Sequence, residues 1–479
     1  MDQDSIKQRT KYGLYWKSFD TLATNLMQLV VGVIMARLLT PADYGITALP
    51  AIFMAVAGTL IDGGFGLALI RKPDLTEKDL STSFYYNIGM GISLYLLLFV
   101  SAPWIALFYE TPILTKLIRI TAIVFLINPI ITPQNVILQR KLDFKTPARI
   151  SIINKIISGA LGIGIAYAGY GLWSLVVSGL ASNFLGLIQT CLAVKWYPKE
   201  KFDKASFNYL WNFGNKMMLS GLIGTVYSNI APLIIGKYFG TKDLGLYNRA
   251  YGYAALPYQQ VTNTVKTVTF PVLSKLQHDD VLLANTYLRM IKAVCFVYFP
   301  FMMLLVGLAR PLVIIMLTEK WEDSIILLQI LSFVTIWGPL SALNGNILQV
   351  KGRSDLFLKL DLKKKAVGLA FTLCTLPFGL IAFCVGCAVS QLYVVYVNLK
   401  CVGEVVPLSL KKQMIEMKNI FLLSAVMLAV LLTFNWFVSN YWIQLFVGGT
   451  LGVSVYILLA YLLKMEEIQE VKFMVSRKQ

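Results

Sequence analysis

Charged residues are scarce in this chain, and acidic residues are the scarcer sign. Only 14% of the 479 residues are charged, with 25 acidic against 43 basic residues and a single histidine. Soluble globular proteins carry about 25% charged residues, so a water-soluble fold is excluded for a chain that is 57% hydrophobic. The bilayer is the solvent that suits this composition, because lipid accepts apolar side chains on the outer surface of a protein.

Sequence motifs for chemistry are also missing. The chain has no GxxxxGKS or GxxxxGKT phosphate loop, which excludes a built-in ATP motor, and neither HExxH nor a nucleophile elbow occurs. Cys384 and Cys387 have CxxC spacing, but no second pair and no histidine accompany them. We therefore predict no catalytic residue, no metal site and no resident cofactor. Energy for any transport would come from an ion gradient, the membrane potential or removal of the product.

Long apolar runs dominate what is present. They lack the alternation of a transmembrane β-barrel, and most reach the ~20 residues that a helix needs to cross a bilayer. The sequence therefore predicts an all-α polytopic membrane protein with about 14 transmembrane helices. The predicted spans are 14–38, 45–69, 83–108, 117–138, 151–169, 172–194, 211–235, 245–271, 287–309, 325–349, 366–382, 383–399, 420–437 and 442–463. The first, seventh, eighth and tenth are interrupted by polar residues.

The basic residues orient these spans. With the N-terminus inside, 29 of the 43 basic residues fall in inside segments, six in outside segments and the remaining eight within spans. Cytoplasmic loops carry an excess of lysine and arginine. This distribution predicts that both termini are cytoplasmic, which requires an even number of spans.

An internal match indicates a duplication. When the chain is shifted by 200 residues against itself, Arg37, Asp43 and Gly45 fall on Lys237, Asp243 and Gly245. Parallel repeats that meet at a cavity near the midplane are a common transporter design. We therefore predict an N-lobe at 1–200 with spans one to six. A C-lobe at 201–400 holds spans seven to twelve, and two additional helices with a cytoplasmic tail occupy 401–479. A chance match between two turns is the alternative.

The charges within the predicted spans are mostly basic. Only Asp20 and Asp62 oppose the eight basic residues, which gives the spans a net charge of +6. Charges inside a membrane usually face a cavity or a partner. The eight basic residues are Lys17, Arg37, Lys155, Lys216, Arg249, Lys266, Arg289 and Lys292.

Four of these basic residues are candidates for substrate binding, namely Arg37, Lys216, Arg249 and Lys266. A basic, water-filled cavity would attract a diphosphate or an acidic sugar. For Arg37 the alternative is a helix cap at the outer interface. The acids Asp20 and Asp62 are candidates either for ion coupling or for a structural role, in which Asp20 pairs with Lys17 one turn away and Asp62 holds a lysine or arginine of the opposite lobe.

Several stretches resemble the polysaccharide transporters, the Wzx-type flippases of the multidrug/oligosaccharidyl-lipid/polysaccharide exporter superfamily. They are MARLLTPADYG at 35–45, DGGFGLALIRK at 62–72, LSTSFYYN at 80–87, GYGLWSLV at 169–176 and LGLYNRAY at 244–251. The resemblance is closest to the colanic-acid-exporter branch and extends from about residue 10 to 460. Arg37, Asp43, Asp62 and Arg249 match positions of these motifs.

The resemblance implies two lobes of helices around a central cavity. It implies a flippase or exporter in the bacterial inner membrane, a secondary transporter that uses alternating access. Such a protein translocates undecaprenyl-diphosphate-linked oligosaccharide repeat units of polysaccharide or lipopolysaccharide biosynthesis from the cytoplasmic to the outer leaflet. A polysaccharide polymerase is the expected partner, and a proton or sodium gradient is the candidate driving force. Related sequences often carry an acid in the seventh helix, where this chain has Asn229.

Two rival functions follow from the same residues. A multidrug or organic-cation antiporter of the same superfamily would favour acidic cavity residues, and two acids against eight bases disfavour it. A membrane glycosyltransferase or ligase would need a large outer loop with catalytic acids or histidine, and no predicted loop is long enough.

Overall fold

The computed structural model describes residues 3–468, and within this range every regular element is helical. The first ten helices are α1 (Gln3–Leu38), α2 (Pro41–Ala48), α3 (Ala51–Asp62), α4 (Phe65–Arg71), α5 (Glu77–Phe108), α6 (Ile113–Thr121), α7 (Val124–Arg140), α8 (Lys145–Tyr167), α9 (Trp173–Val194) and α10 (Lys204–Tyr238). The next ten are α11 (Thr241–Lys275), α12 (Asp280–Gly307), α13 (Ala309–Leu317), α14 (Ser324–Thr335), α15 (Gly338–Val350), α16 (Ser354–Thr375), α17 (Leu380–Val405), α18 (Leu410–Phe437), α19 (Tyr441–Ile443) and α20 (Gly449–Leu462). Short 3₁₀ turns lie at Glu319–Trp321 and Leu376–Phe378, and a π-helical turn at Gln444–Gly448 joins α19 to α20.

Capping residues in the sequence set where helices begin. Thr40 and Asp43 exchange hydrogen bonds at the start of α2, and Thr76 and Asp79 do the same at the start of α5. Such capping boxes satisfy two backbone donors that a helix start leaves without partners. Ser409 accepts from the amide of Lys412 and begins α18.

Twelve membrane-crossing segments are found in the described range by length and apolar composition. They correspond to twelve of the 14 predicted spans, so the polytopic helical fold is confirmed. The two remaining long helices, α11 and α16, have 35 and 22 residues. At ~1.5 Å per residue both are long enough to cross a bilayer, but polar and charged residues interrupt them. The count of 14 and the cytoplasmic termini stay predictions.

The predicted eleventh span, 366–382, is displaced from the helix that is present. Helix α16 begins twelve residues earlier, at Ser354, and ends at Thr375. The chain then turns at Gly379, whose φ of +96° suits glycine. The lysines at 359–365 therefore lie on a helix instead of in a loop, because the amphiphilic start of α16 has no apolar run to reveal it.

The chain divides into two compact units, residues 1–245 and 246–479. The boundary falls just after the start of α11. In the first unit α1 packs on α8, α8 on α9, and α5 on α6 and α7. Helix α10 belongs to this unit because it packs on α3, α4 and α5. The lobe boundary at residue 200, which the internal match indicates, stays a prediction.

The second unit has a large apolar core. Helix α12 packs along α18 and contacts α14, while α16 and α17 form an adjacent pair. Tyr287, Phe299, Phe383 and Leu343 are completely or almost completely buried there. Two polar side chains, Asn344 and Gln413, are also buried and accept hydrogen bonds from the Tyr287 hydroxyl, so the core satisfies part of its own polar groups.

Candidate functional site

The candidate residues are distributed over both units. Arg37, Asp20, Asp62 and Lys216 lie in the first unit, and Arg249 and Lys266 lie in the second. Each group is described within its own unit. In both, the question is which charges are held by neighbouring side chains and which stay exposed.

A glycine-rich break separates α3 from α4 in the first unit. Gly63 and Gly64 both have positive φ, 55° and 72°, which is the left-handed region that glycine adopts without strain. A Cβ on Gly64 would lie 2.5 Å from the backbone oxygen of Gly214 in α10, and a Cβ on Gly214 would lie 2.5 Å from that of Gly63. The two backbones therefore touch, and no larger residue fits at this crossing.

Asp62 ends α3 directly before this break. Its side chain faces the backbone amides of Gly64 and Gly66, at the start of α4. Asp62 is exposed and forms no ion pair with the side chains that the structure describes. The carboxylate therefore lies against the break between the helices, and the predicted ion pair with a basic residue of the opposite lobe stays a prediction. Its role in coupling stays a prediction.

Lys216 lies on α10, two residues after the glycine crossing. The side chain is exposed, and it makes no ion pair with the residues that the structure describes. Farther along the same helix pair, the hydroxyls of Thr59 and Thr225 are 3.1 Å apart. The α3–α10 contact thus fixes the backbone on which Lys216 stands, while its ammonium group is left open to a ligand.

Arg37 and Asp20 lie on α1. Arg37 is exposed in the last turn, where a cation interacts favourably with the helix dipole. Asp20 accepts a hydrogen bond of 3.2 Å from Thr24, and the Thr24 hydroxyl lies 3.2 Å from that of Ser151 on α8. Asp20 is therefore part of a contact between α1 and α8. The side chain of Lys17 lies outside the described residues.

Arg249 on α11 is held by aromatic rings. Its guanidinium carbon lies 5.3 Å from the ring centroid of Tyr253 and 6.0 Å from that of Trp321, which is fully buried. Stacking of this kind stabilises a cation and restricts its position. This contact could not be predicted from the sequence, because Trp321 lies in a short turn more than seventy residues after Arg249.

Lys266, in contrast, is exposed. It belongs to a polar stripe of α11, since Gln259, Asn263 and Thr267 recur at the helical spacing and are also exposed. The opposite face packs into the second unit, where Asn346 donates to the backbone oxygen of Lys266 and to the hydroxyl of Thr269 at 2.7 Å. If α11 crosses the bilayer, as the sequence predicts, this polar stripe requires water or a polar ligand beside it.

Arg140 is a structural residue that the sequence did not reveal. Its guanidinium donates to the backbone oxygens of Leu69 at 2.9 Å and Pro73 at 2.8 Å, and also to those of Ile70 and Lys72. It thereby satisfies the carbonyls that the end of α4 leaves without partners. In the sequence this arginine was one more cytoplasmic positive charge.

The motif at 80–87 has a clear structural role. Ser81 and Thr82 are fully buried on α5, and their hydroxyls accept from the amides of Glu200 and Asp203. Just before the motif, Asp79 is completely buried and forms an ion pair of 2.7 Å with Lys72. These contacts hold the linker before α10 against α5.

Acids outside the predicted spans reduce the charge excess that the sequence indicated. Lys292 pairs with Glu416 at 2.9 Å and with Glu467 at 3.3 Å. These ion pairs were not expected from the charges within the predicted spans, because both glutamates lie beyond the ends of those spans. Lys216 and Lys266 remain the exposed candidates without an acid within ion-pair distance in the described range.

The two copies of the internal match contact each other. A Cβ on Gly45 would lie 1.7 Å from the backbone oxygen of Thr241, and a Cβ on Gly245 would lie 1.8 Å from that of Pro41. All four residues belong to the first unit. Each glycine of the matched pair thus meets the helix start of the other copy, and this reciprocity is what a two-fold relation between repeats would produce.

No group of three or more His, Cys, Asp or Glu side chains suited to a metal ion occurs among residues 3–468. The site offers basic side chains on helices, with exposed amides and hydroxyls beside Lys266. Such an arrangement binds anionic groups through charge-assisted hydrogen bonds.

A family model described as "Polysaccharide biosynthesis protein" matches residues 34–326. The teichuronic acid biosynthesis protein TuaB of Bacillus subtilis (strain 168) is 31% identical over 354 residues, which cover 74% of this chain and 73% of that protein. The lipopolysaccharide biosynthesis protein WzxC of Escherichia coli (strain K12) is 23% identical over 373 residues, covering 75% and 74%.

Solved structures show the same fold. The lipid II flippase MurJ in an inward closed conformation superposes with a TM-score of 0.75 at 16% identity, covering 94% of this chain and 99% of MurJ. An inward-facing multidrug resistance MATE transporter gives a TM-score of 0.59 at 14% identity, covering 81% and 96%. At these identities the likeness concerns the fold.

Proposed function

We propose that this chain, which belongs to the polysaccharide biosynthesis protein family, is a flippase for an undecaprenyl-diphosphate-linked oligosaccharide. It moves the repeat unit from the cytoplasmic to the outer leaflet of the bacterial inner membrane, in which it is a multi-pass protein. It is a transporter and not an enzyme. The names of its relatives support this, since they concern the biosynthesis of teichuronic acid and lipopolysaccharide, and MurJ is named a lipid II flippase.

The observation that carries the proposal is the pair of exposed lysines on long helices, Lys216 on α10 and Lys266 on α11. Neither has an acid within ion-pair distance among the described residues. A diphosphate linkage carries negative charge that must be compensated when it leaves water, and lysine offers three donors to its oxygens. The amides of Gln259 and Asn263, on the same stripe as Lys266, are suited to sugar hydroxyls.

Arg37 and Arg249 have different parts in this scheme. Arg37 is exposed at the end of α1 and adds positive charge that attracts the substrate. Arg249 keeps its charge but is covered by the rings of Tyr253 and Trp321, so it contributes to the electrostatic potential and to the rigidity of α11 more than to direct contact.

The substrate would cross the membrane by alternating access, as in other secondary transporters. A proton or sodium gradient is the candidate driving force, with Asp20 or Asp62 as the coupling acid. A polysaccharide polymerase that consumes the flipped unit is the expected downstream partner.

A multidrug antiporter is the second candidate, and the likeness to the MATE fold is the observation that favours it. Organic cations need acids in the binding cavity. Of the exposed candidate charges described above, Arg37, Lys216 and Lys266 are basic and only Asp62 is acidic, so this candidate is the weaker one.

The test is a gene deletion complemented with the double variant Lys216→Gln/Lys266→Gln. Charge-assisted hydrogen bonds contribute about 1.5–3 kcal/mol each, so we expect surface polysaccharide to fall at least about tenfold while lipid-linked units accumulate inside. The matched control is Lys204→Gln/Lys275→Gln, which removes two exposed lysines at the ends of the same two helices. Equal glycan export by both doubles would refute the basic site, and normal glycan with altered drug sensitivity after deletion would favour the antiporter.

A further inference from the structure

The second unit contains an apolar pocket that the flippase proposal does not use. The pocket has a volume of about 570 Å³ and lies between α12, the α14–α15 pair, α17 and α18. Phe299 and Leu399 form a buried back wall, at 1% and 2% exposure. Ligand pockets in proteins typically measure about 300–1,000 Å³, so the space suffices for part of a lipid chain.

The mouth of the pocket is apolar and exposed. Met414, Ile415 and Leu422 on α18 and Tyr396 on α17 line it and are each about half exposed. Within a membrane, an exposed apolar surface faces lipid hydrocarbon, whereas a surface facing a water-filled path would be polar. The pocket therefore opens toward the acyl chains of the bilayer.

One cation stands among these apolar residues. Lys418 lines the pocket and is exposed, and it forms no ion pair with the residues described. Lys411 lies on the same stripe of α18, one heptad earlier, where residues 411, 415, 418 and 422 recur at helical spacing. The basic residues at 400–418 place this end of α18 on the cytoplasmic side. Lys418 lies the deepest of them along the helix, ~12 Å from its start at Leu410.

A second polar group lies deeper in the pocket. Trp337 lines it at the junction of α14 and α15, and its indole N–H is buried without an acceptor in the described range. Trp337 stacks on Phe421, with ring centroids 6.0 Å apart, and Phe421 follows Lys418 by three residues, or ~4.5 Å along the helix. A buried donor without a partner is unfavourable, so this indole favours a ligand that brings an acceptor into the pocket.

We infer that this pocket binds an anionic phospholipid of the cytoplasmic leaflet. The phosphate pairs with Lys418, an acyl chain fills the aromatic pocket, and an ester oxygen one helical turn below the phosphate accepts from the Trp337 indole. The pocket thus combines a cation, a donor and an apolar wall, which are the partners that the phosphate, ester and acyl groups of a glycerophospholipid need. The site goes beyond the proposed function and does not depend on it.

The test is quenching of tryptophan fluorescence by phosphatidylglycerol brominated on its acyl chains, titrated into phosphatidylcholine vesicles that hold the full-length protein. The difference between wild type and Trp337→Phe isolates the signal of this tryptophan among nine. We expect brominated phosphatidylglycerol to quench it at a several-fold lower mole fraction than brominated phosphatidylcholine. One lysine near the surface contributes about 1 kcal/mol toward an anionic lipid, so Lys418→Gln should weaken the preference about fivefold. Lys141→Gln, an exposed cytoplasmic lysine of the first unit, should leave it unchanged.

Equal quenching by the two lipids, or an unchanged preference in Lys418→Gln, would overturn the inference. Competition between unlabelled lipids identifies which lipid supplies the hydrocarbon chain in the pocket. If unlabelled undecaprenyl phosphate displaced the brominated lipid at a lower mole fraction than unlabelled phosphatidylglycerol, the occupant would be a polyprenyl lipid and the phospholipid assignment would be wrong. Should Trp337→Phe fail to fold, native mass spectrometry of phosphatidylglycerol bound to wild type and Lys418→Gln gives the same comparison.

Discussion

Replacement of Gly245 by alanine should destabilise the first unit, although it adds a single methyl group. The new Cβ would lie 1.8 Å from the carbonyl oxygen of Pro41 and 3.1 Å from the amide nitrogen of Gly45. Both atoms are backbone atoms and cannot rotate away. Ordinary carbon contacts are about 3.5–4.0 Å, so the two chain segments would have to separate by more than about 1.5 Å.

The magnitude follows from overpacking of tight contacts, which typically costs about 1–3 kcal/mol. One kcal/mol shifts the Tm of a 150–250-residue domain by about 2–4 °C. We therefore expect Gly245→Ala to lower the Tm of the detergent-solubilised protein by about 2–12 °C, and Gly45→Ala to act similarly because its Cβ would lie 1.7 Å from the Thr241 oxygen.

Gly252 provides the control on the same helix. A Cβ at this position meets no atom within 4 Å, and alanine is favoured over glycine in a helix by up to about 1 kcal/mol. Gly252→Ala should therefore leave the Tm unchanged or raise it. If Gly245→Ala and Gly252→Ala unfolded within about 1 °C of each other, the close crossing of the two matched segments would not exist as described.

Three further predictions concern charges of the first unit. Asp79→Asn removes the acid of a buried ion pair and should cost about 3 kcal/mol, measured as a lower Tm than that of the exposed-site control Asp74→Asn. Arg140→Lys keeps the positive charge but loses the guanidinium group that donates to several backbone carbonyls at the end of α4, so the free energy of unfolding should fall by about 1–3 kcal/mol. An unchanged Tm would contradict a stabilising role of these hydrogen bonds. Lys237 lies 2.9 Å from Glu110 and holds the pKa of that carboxyl below its ordinary value. The stabilisation from this pair is therefore present above about pH 4.3 and is lost as the pH falls through the lowered pKa. The Tm difference between wild type and Glu110→Gln should be constant from pH 7 to about pH 5 and vanish in stronger acid.

The membrane fold was predictable because hydropathy acts on every residue of a span. The runs that the sequence indicated fall on twelve long, apolar helices of the described range. Helix α16 was misplaced because its first half carries lysines at 359, 363, 364 and 365, so only its apolar second half was visible. Where a helix begins in charged sequence, periodicity is the only signal and hydropathy fails.

Partners of charged residues were the least predictable part of the site. Arg140 binds carbonyls about seventy residues before it, Arg249 lies over Trp321, and Lys292 pairs with two distant glutamates. Such contacts depend on which helices become neighbours, and a single sequence contains no record of that. The exposed position of Lys266 was easier to predict, since it lies on a polar stripe at helical spacing.

That polar stripe of α11 also bears on how the protein is made. Helix α11 has Gln259, Asn263 and Lys266 on one face, so the free energy of moving this helix by itself from the translocation channel into lipid is unfavourable. Each charged residue near a helix centre opposes insertion by about 2.5–3.5 kcal/mol. Helix α11 needs helices that are synthesised later to cover or neutralise this face. A reporter fused after Lys275 should then remain on the outer side of the membrane, although full-length protein is predicted to hold that residue on the cytoplasmic side. Helix α11, the predicted eighth span, would then cross the membrane only in the company of helices that follow it.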